Sequence, residues 1–257
     1  MPEGDTIWRV AAALRTRISG AIVRRASHTG LEGRRIEVVE PVGKHVLIRF
    51  DGGYTLRTHL GMHGSWYVHR PGERWRKPAW QARVVLETDE WVAVCFSAAA
   101  AEITRDVAAA VRHLGPDLLG DDPDLELVVQ RARQLGAETA LGELLLDQRV
   151  AAGIGNVYRC ETLWAHRLNP WRPAGSLGDD ELRALYAYAR DALRLNVQGR
   201  LARRFPDHPS AAVHGRTGRP CPRCRTPIGI RKQGALARWT YFCPRCQAVD
   251  GAPADPS

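Results

Sequence analysis

The chain has 257 residues, 44% of them hydrophobic, and a formal charge of +9 at neutral pH with a pI of about 9.7. That length and apolar content exclude a disordered chain and allow one large domain or two modest ones. The charge points to a polyanionic partner such as nucleic acid, although a basic protein without one has the same composition.

Arginine carries most of that charge, since Lys44, Lys77 and Lys232 are the only lysines. The first helix is charged and lacks the apolar stretch of a signal peptide, and no apolar run reaches membrane-spanning length. The expectation is a soluble, cytoplasmic protein with no membrane partner. Six cysteines in a reducing compartment then suggest metal rather than disulfides.

The chain starts Met1-Pro2-Glu3-Gly4-Asp5. If Met1 is removed, Pro2 presents a secondary amine, which can attack a sugar or aldehyde carbon and form an iminium. An α-amino group titrates near pH ~8, so part of it is unprotonated at neutral pH. Glu3, next to it, could relay protons. Asp5 reads as an N-cap, because Ile7, Val10, Ala11, Leu14 and Ile18 follow at helical spacing. The positive end of that helix would favour the neutral amine and attract phosphate. Taken alone, the same residues also fit an ordinary start before a helix.

Residues 21–97 read as β. Val46–Phe50 and Val84–Leu86 run apolar or alternate, and Asp51-Gly52-Gly53 and Thr88-Asp89-Glu90 supply turns. A helix followed by many short strands suggests a β-sandwich or barrel. Lys44 opens a strand, where a solvated edge charge is the ordinary expectation. Met62, between Gly61 and Gly64, is either core filler or an exposed wedge for a base stack. The stretch 66–81 carries Trp66, Trp75 and Trp80 among Arg70, Arg74, Arg76 and Lys77, and reads equally as a DNA-touching loop or a solvated connector.

Gly, Pro and Asp around 113–117 mark a linker. Helices are predicted over 139–151, from Asn156 to about Arg167, and over 179–197. The last begins with three acids and buries Leu182, Leu185, Ala189, Leu193 and Val197. Between the first two lies Gly153-Ile154-Gly155-Asn156, where Asn156 would cap a helix whose N–H groups face a phosphate. Finally, Cys221-Pro-Arg-Cys224 and Cys243-Pro-Arg-Cys246 enclose eighteen residues, the spacing of a Cys₄ zinc ribbon. Four thiolates around Zn²⁺ make one closed, structural site, with residues 228–242 as a hairpin between the two cysteine pairs. Cys95 and Cys160 read as small buried hydrophobes.

Met1-Pro2-Glu3-Gly4, Gly43-Lys44, the Gly153–Asn156 turn and the Cys₄ ribbon occur in one order along nearly the whole chain. Together they resemble the formamidopyrimidine-DNA glycosylase/endonuclease VIII family, in its endonuclease VIII-like branch. Ser97–Ala101 lacks the Arg-x-Phe wedge of the formamidopyrimidine branch, and Asp5-Thr6 replaces the usual Pro-Glu.

The resemblance implies an α+β multidomain fold: an N-terminal helix plus β-sandwich (1–115), a helix–two-turn–helix domain (123–212), a zinc-finger hairpin (213–250) and a disordered tail (251–257). DNA would bind in the cleft between domains. Pro2 matches the nucleophile, Glu3 the acid/base group and Lys44 the supporting lysine. Asn156 and Arg238 match residues that bind the DNA backbone, and Arg238 also assists elimination. With Met62 as wedge and Cys221, Cys224, Cys243 and Cys246 on one Zn²⁺, the implied activity is glycosylase with AP lyase. It would act on oxidised pyrimidines in duplex DNA, as a nucleoid-associated monomer. The competing expectations are a non-catalytic damaged-DNA binder, an enzyme preferring oxidised purines, and a zinc-ribbon regulatory protein with an unrelated N-domain.

Overall fold

The computed structural model describes residues 2–198 and 203–248; Met1 and the tail 251–257 lie outside them. The chain divides into two compact units, one ending at His113 and the next beginning at Leu114.

The first unit opens with α1 (Gly4–Ile18), whose apolar stripe of Ile7, Ala11, Leu14 and Ile18 is fully buried. Asp5 is not its N-cap. Glu3 holds that position, with its carbonyl accepting from the Thr6 and Ile7 N–H groups at 2.9 and 3.0 Å. Asp5 is the second residue of the helix, buried, and pairs with Arg9 at 3.2 Å. The pairing explains the shift: an acid at i with Arg at i+4 gains more inside the first turn than as a solvated cap.

Two antiparallel four-stranded sheets follow. One has the order β2 (Ile36–Val42), β3 (His45–Phe50), β4 (Tyr54–His59), β8 (Ala100–Thr104). The other runs β1 (Arg25–Ala26), β6 (Ala82–Glu87), β7 (Val92–Phe96), β5 (Ser65–His69). Their facing side chains, among them Ile36, Val46, Ile48, Leu56, Val84 and Cys95, merge with the α1 stripe into one core. This is the expected sandwich. Trp66 belongs to β5 rather than to a loop, and its indole N–H donates to Thr58 Oγ1 at 3.1 Å. A short helix, α2 (Val107–Val111), capped by Asp106, was not expected from periodicity.

The second unit is helical: α3 (Leu125–Gln134), α4 (Leu141–Leu144), α5 (Asn156–Ala165) and α6 (Asp179–Val197). α6 has the expected bounds and buries the expected residues except Val197, which is half-exposed. The predicted helix over 139–151 shrinks to α4. Beyond it the Gln148 amide donates to the Leu146 and Ile154 carbonyls at 2.8 and 3.0 Å and its oxygen accepts from Gly153 N–H at 3.1 Å, so side-chain bonds replace the helical ladder. A hairpin of β9 (Gly229–Gln233) and β10 (Arg238–Phe242) completes the unit.

Candidate functional site

In the first unit, α1 packs on β2 and β3 and so places Pro2 and Glu3, which precede it, on the sandwich. Pro2 is half-exposed and Glu3 fully buried. Gly43 and Lys44 form the two-residue loop between β2 and β3, with Val42 opposite His45. Gly43 has φ +56°, the left-handed backbone that a tight hairpin of this length needs at its first position.

Lys44 stands among cations and imidazoles. His45, His59 and His113 cluster, with ring centroids 5.0 Å apart for His45–His59 and 6.5 Å for His45–His113. Arg57 lies beside His45 and pairs with Glu102 at 2.6 Å. Burial, reinforced by His59, Arg57, His113 and Lys44, pushes His45 down to about 3; burial and then Lys44 also lower His59. Both imidazoles are therefore neutral at neutral pH, and Lys44 and Arg57 supply the local positive charge. Such a surface favours an anion. Spacing arguments missed this cluster, because its members come from β3, β4 and the end of the unit. Met62 is 59% exposed, which rules out core filler.

In the second unit the geometry differs from expectation at Asn156. It is the first residue of α5, not its cap: Gly155 occupies the cap position. The Asn156 amide instead donates to the Trp239 carbonyl on the hairpin at 2.9 Å, and its oxygen accepts from Arg159. Arg159, one turn later, is fully buried; it also donates to Thr240 Oγ1 at 2.7 Å and to the Trp239 carbonyl at 3.1 Å. Thr240 donates on to Gln233 Oε1 at 3.1 Å, and Gln233 donates to the Pro170 carbonyl at 2.7 Å. Gly142 in α4 permits this approach, since a Cβ there would stand 2.3 Å from Gln233 Oε1. The network clamps the hairpin to the Gly153–Asn156 turn. Arg238, half-exposed, opens β10 opposite Gln233 and next to the clamped Trp239. None of Arg159, Thr240 and Gln233 was predicted; the sole sequence signal was an arginine one helical turn after Asn156.

A second anchor is Glu161, buried and accepting from the Ala212, Val213 and His214 N–H groups at 2.7, 3.1 and 2.7 Å. Burial raises its pKa, and the three N–H donors oppose that rise.

The four predicted cysteines converge, with all four sulfurs within 4.8 Å of one another. Cys221 and Cys246 sulfurs are 3.9 Å apart and those of Cys224 and Cys243 are 3.4 Å apart. A tetrahedral Zn²⁺ with ~2.3 Å bonds needs sulfurs ~3.8 Å apart, so the residues fit the ion. The Trp164 indole N–H and the Cys246 N–H donate to ligand sulfurs, each at 3.4 Å, as outer-shell donors do in such sites. Cys95 and Cys160 stay apart, fully buried, with thiols pushed up by burial to about 12 and about 11.

Known protein families match three segments of the chain. The formamidopyrimidine-DNA glycosylase N-terminal domain matches residues 1–99, the formamidopyrimidine-DNA glycosylase H2TH domain matches 114–205, and the zinc finger found in FPG and IleRS matches 218–249. The chain is 42% identical over 262 residues to the protein named "Probable endonuclease 8 2" of Streptomyces coelicolor, covering 96% of this chain and 94% of the relative. It is 38% identical to the DNA-(apurinic or apyrimidinic site) lyase Nei2 of Mycolicibacterium smegmatis, covering 97% and 100%. Among solved structures, Lactococcus lactis Fpg in complex with a DNA containing N7-benzyl-Fapy-dG superposes with a TM-score of 0.82 at 21% identity, over 96% of this chain and 100% of that one. The fold is shared with that structure, and the sequence relatives carry the assignment: the chain belongs to the formamidopyrimidine-DNA glycosylase/endonuclease VIII family, with endonuclease 8 proteins among its relatives.

Proposed function

We propose that the protein is a bifunctional DNA glycosylase/AP lyase that removes oxidised pyrimidines from duplex DNA through an iminium on Pro2. The observation that carries this reading is the terminus itself: half-exposed Pro2 followed by a fully buried Glu3 carboxylate at the positive end of α1. A buried acid beside a reactive amine is what proton transfer at a sugar carbon requires.

In this mechanism the damaged nucleotide leaves the stack. The Pro2 nitrogen bonds to C1′ as the base departs with the glycosidic electron pair, and Glu3 transfers protons during ring opening. The resulting iminium acidifies the C2′ hydrogen. Loss of that proton expels the 3′ phosphate, and a second elimination expels the 5′ phosphate. Lys44 and Arg57, which share the surroundings of His45, suit a phosphate, and Arg238, held beside the clamped Trp239, suits the elimination steps. The cysteine site would hold one Zn²⁺, whose role is to stabilise the hairpin that presents Arg238.

The protein would act as a monomer on chromosomal DNA, hence at the nucleoid. The described residues contain no helix long and apolar enough to cross a membrane. Borohydride trapping on duplexes carrying an oxidised pyrimidine, an oxidised guanine or an abasic site tests the reading. An adduct on the first and third exceeds that on the second if the assignment holds. A stronger adduct with oxidised guanine would move the preference to purines, and no adduct on any substrate would leave only a DNA binder.

A further inference from the structure

Three segments meet at one end of the β5-β6-β7 sheet. Phe96, the last residue of β7, pairs with Ser65 at the start of β5 and with Ala82 at the start of β6. Just outside lie the Met62 turn, the short 3-10 turn Ala79–Gln81 and the stretch 97–101. They are bonded together: Ser97 N–H donates to the Gln81 carbonyl at 2.8 Å, Ala99 N–H to the His59 carbonyl at 2.9 Å, and Lys77 Nζ to the His63 carbonyl at 3.4 Å.

Residues 98–101 are alanines, and the exposed large apolar side chains of the flanking turns are Met62 and Trp80. Trp80 is 82% exposed, more than any other large apolar side chain among the described residues. Three cations, Arg74, Arg76 and Lys77, precede it within six residues. The neighbouring carboxylate of Glu73 is turned back onto the Arg70 N–H at 2.8 Å. An exposed indole that follows a run of cations along the chain matches one ligand chemistry well: a nucleobase to stack on the ring, with a neighbouring phosphate on one of those cations. An apolar protein surface would have no use for the charges.

We propose that Trp80 is a stacking platform for a nucleobase that loses its neighbours when the damaged nucleotide leaves the helix, working beside the Met62 wedge. This rests on the DNA-repair reading above. The base is either the one opposite the lesion or the one flanking it in the same strand.

The test uses the full-length protein and duplexes with a non-cleavable tetrahydrofuran abasic analogue. 2-Aminopurine, bright when unstacked and quenched when stacked, is placed either opposite the analogue or 3′ to it. The wild-type protein should quench at one position, Trp80→Phe should keep that quenching, and Trp80→Ala should lose it and bind about tenfold more weakly. Quenching at the opposite position names the orphan base as the ligand; quenching at the flank names the neighbour. Equal quenching and affinity for wild type and Trp80→Ala would overturn the proposal and leave the patch to a protein partner. The same samples are tried with borohydride on an authentic abasic site. Trp80-dependent quenching without any adduct would sink the lyase reading and keep the platform. An adduct without Trp80 dependence would do the reverse. With 82% of Trp80 exposed, its replacement leaves the core intact.

Discussion

The two units position their candidate functional residues by different physics. In the sandwich, Pro2, Glu3 and Lys44 ride on backbone features, a helix start and a two-residue hairpin, and the apolar core between α1 and the sheets holds those features. In the helical unit, the turn at Asn156 and the hairpin at Arg238 are joined through a buried guanidinium, a buried threonine, a buried glutamine and a cysteine cluster. An apolar core tolerates the loss of one surface charge. A buried polar clamp does not tolerate the loss of one member, because every remaining group is left without its partner in a low dielectric.

The contrast can be broken most forcefully at the cysteines. Cys221→Ser should lose the metal and, with it, a binding free energy of order 10 kcal/mol that keeps such fingers folded. DNA binding should vanish while the sandwich keeps its melting transition. Zinc content and calorimetry check this, and normal cleavage by a metal-free variant would refute the structural role.

Next in size is Arg159→Met, which removes donors to Asn156, Thr240 and the Trp239 carbonyl. It should destabilise the helical unit by about 3 kcal/mol, with no change in the sandwich transition. Adding Thr240→Val should cost less than the sum of the two single changes, since both act on one network. Additive urea midpoints would show that no clamp exists.

Acid should weaken both units. His45 is depressed to about 3 and His214 to about 4, in each case chiefly by burial, with Arg203 adding to His214. A histidine whose folded pKa lies below its unfolded value of ~6.5 binds protons preferentially in the unfolded chain, so stability is full above ~6.5 and falls as pH drops. Through that window, down to about 3 for His45, the slope approaches ~1.4 kcal/mol per pH unit. His45→Asn should flatten the sandwich profile alone. The smallest effect belongs to the surface: Arg24 pairs with Asp89 at 2.7 Å with both side chains more than half exposed, and Arg24→Ala should leave the melting temperature unchanged.

The same contrast explains what could be read from residues alone. α1, α6, the sandwich strands and the zinc cysteines follow from periodicity and spacing, which are local or nearly so. Arg159 escaped because a buried arginine looks like any helical arginine until its partners, about 80 residues later, are folded against it. Asn156 looked like a cap for the same reason, since the hairpin carbonyl that claims its amide is 83 residues away. The helix predicted over 139–151 failed through Gln148, whose side chain competes with the backbone once Ile154 and Gly153 come near. Non-local polar contacts leave no period in a sequence.

In the proposed mechanism the chemistry belongs to the Pro2 amine, which blocking that amine tests directly. Residues fused ahead of Pro2 turn the amine into an amide, whose delocalised lone pair is not nucleophilic. Borohydride trapping on an abasic duplex is then compared for the wild type, the fusion, and the fusion carrying Lys44→Ala. An adduct is expected with the wild type and none with either fusion, while binding to DNA persists. An adduct that survives the fusion and disappears with Lys44→Ala would contradict it and move the Schiff base to Lys44.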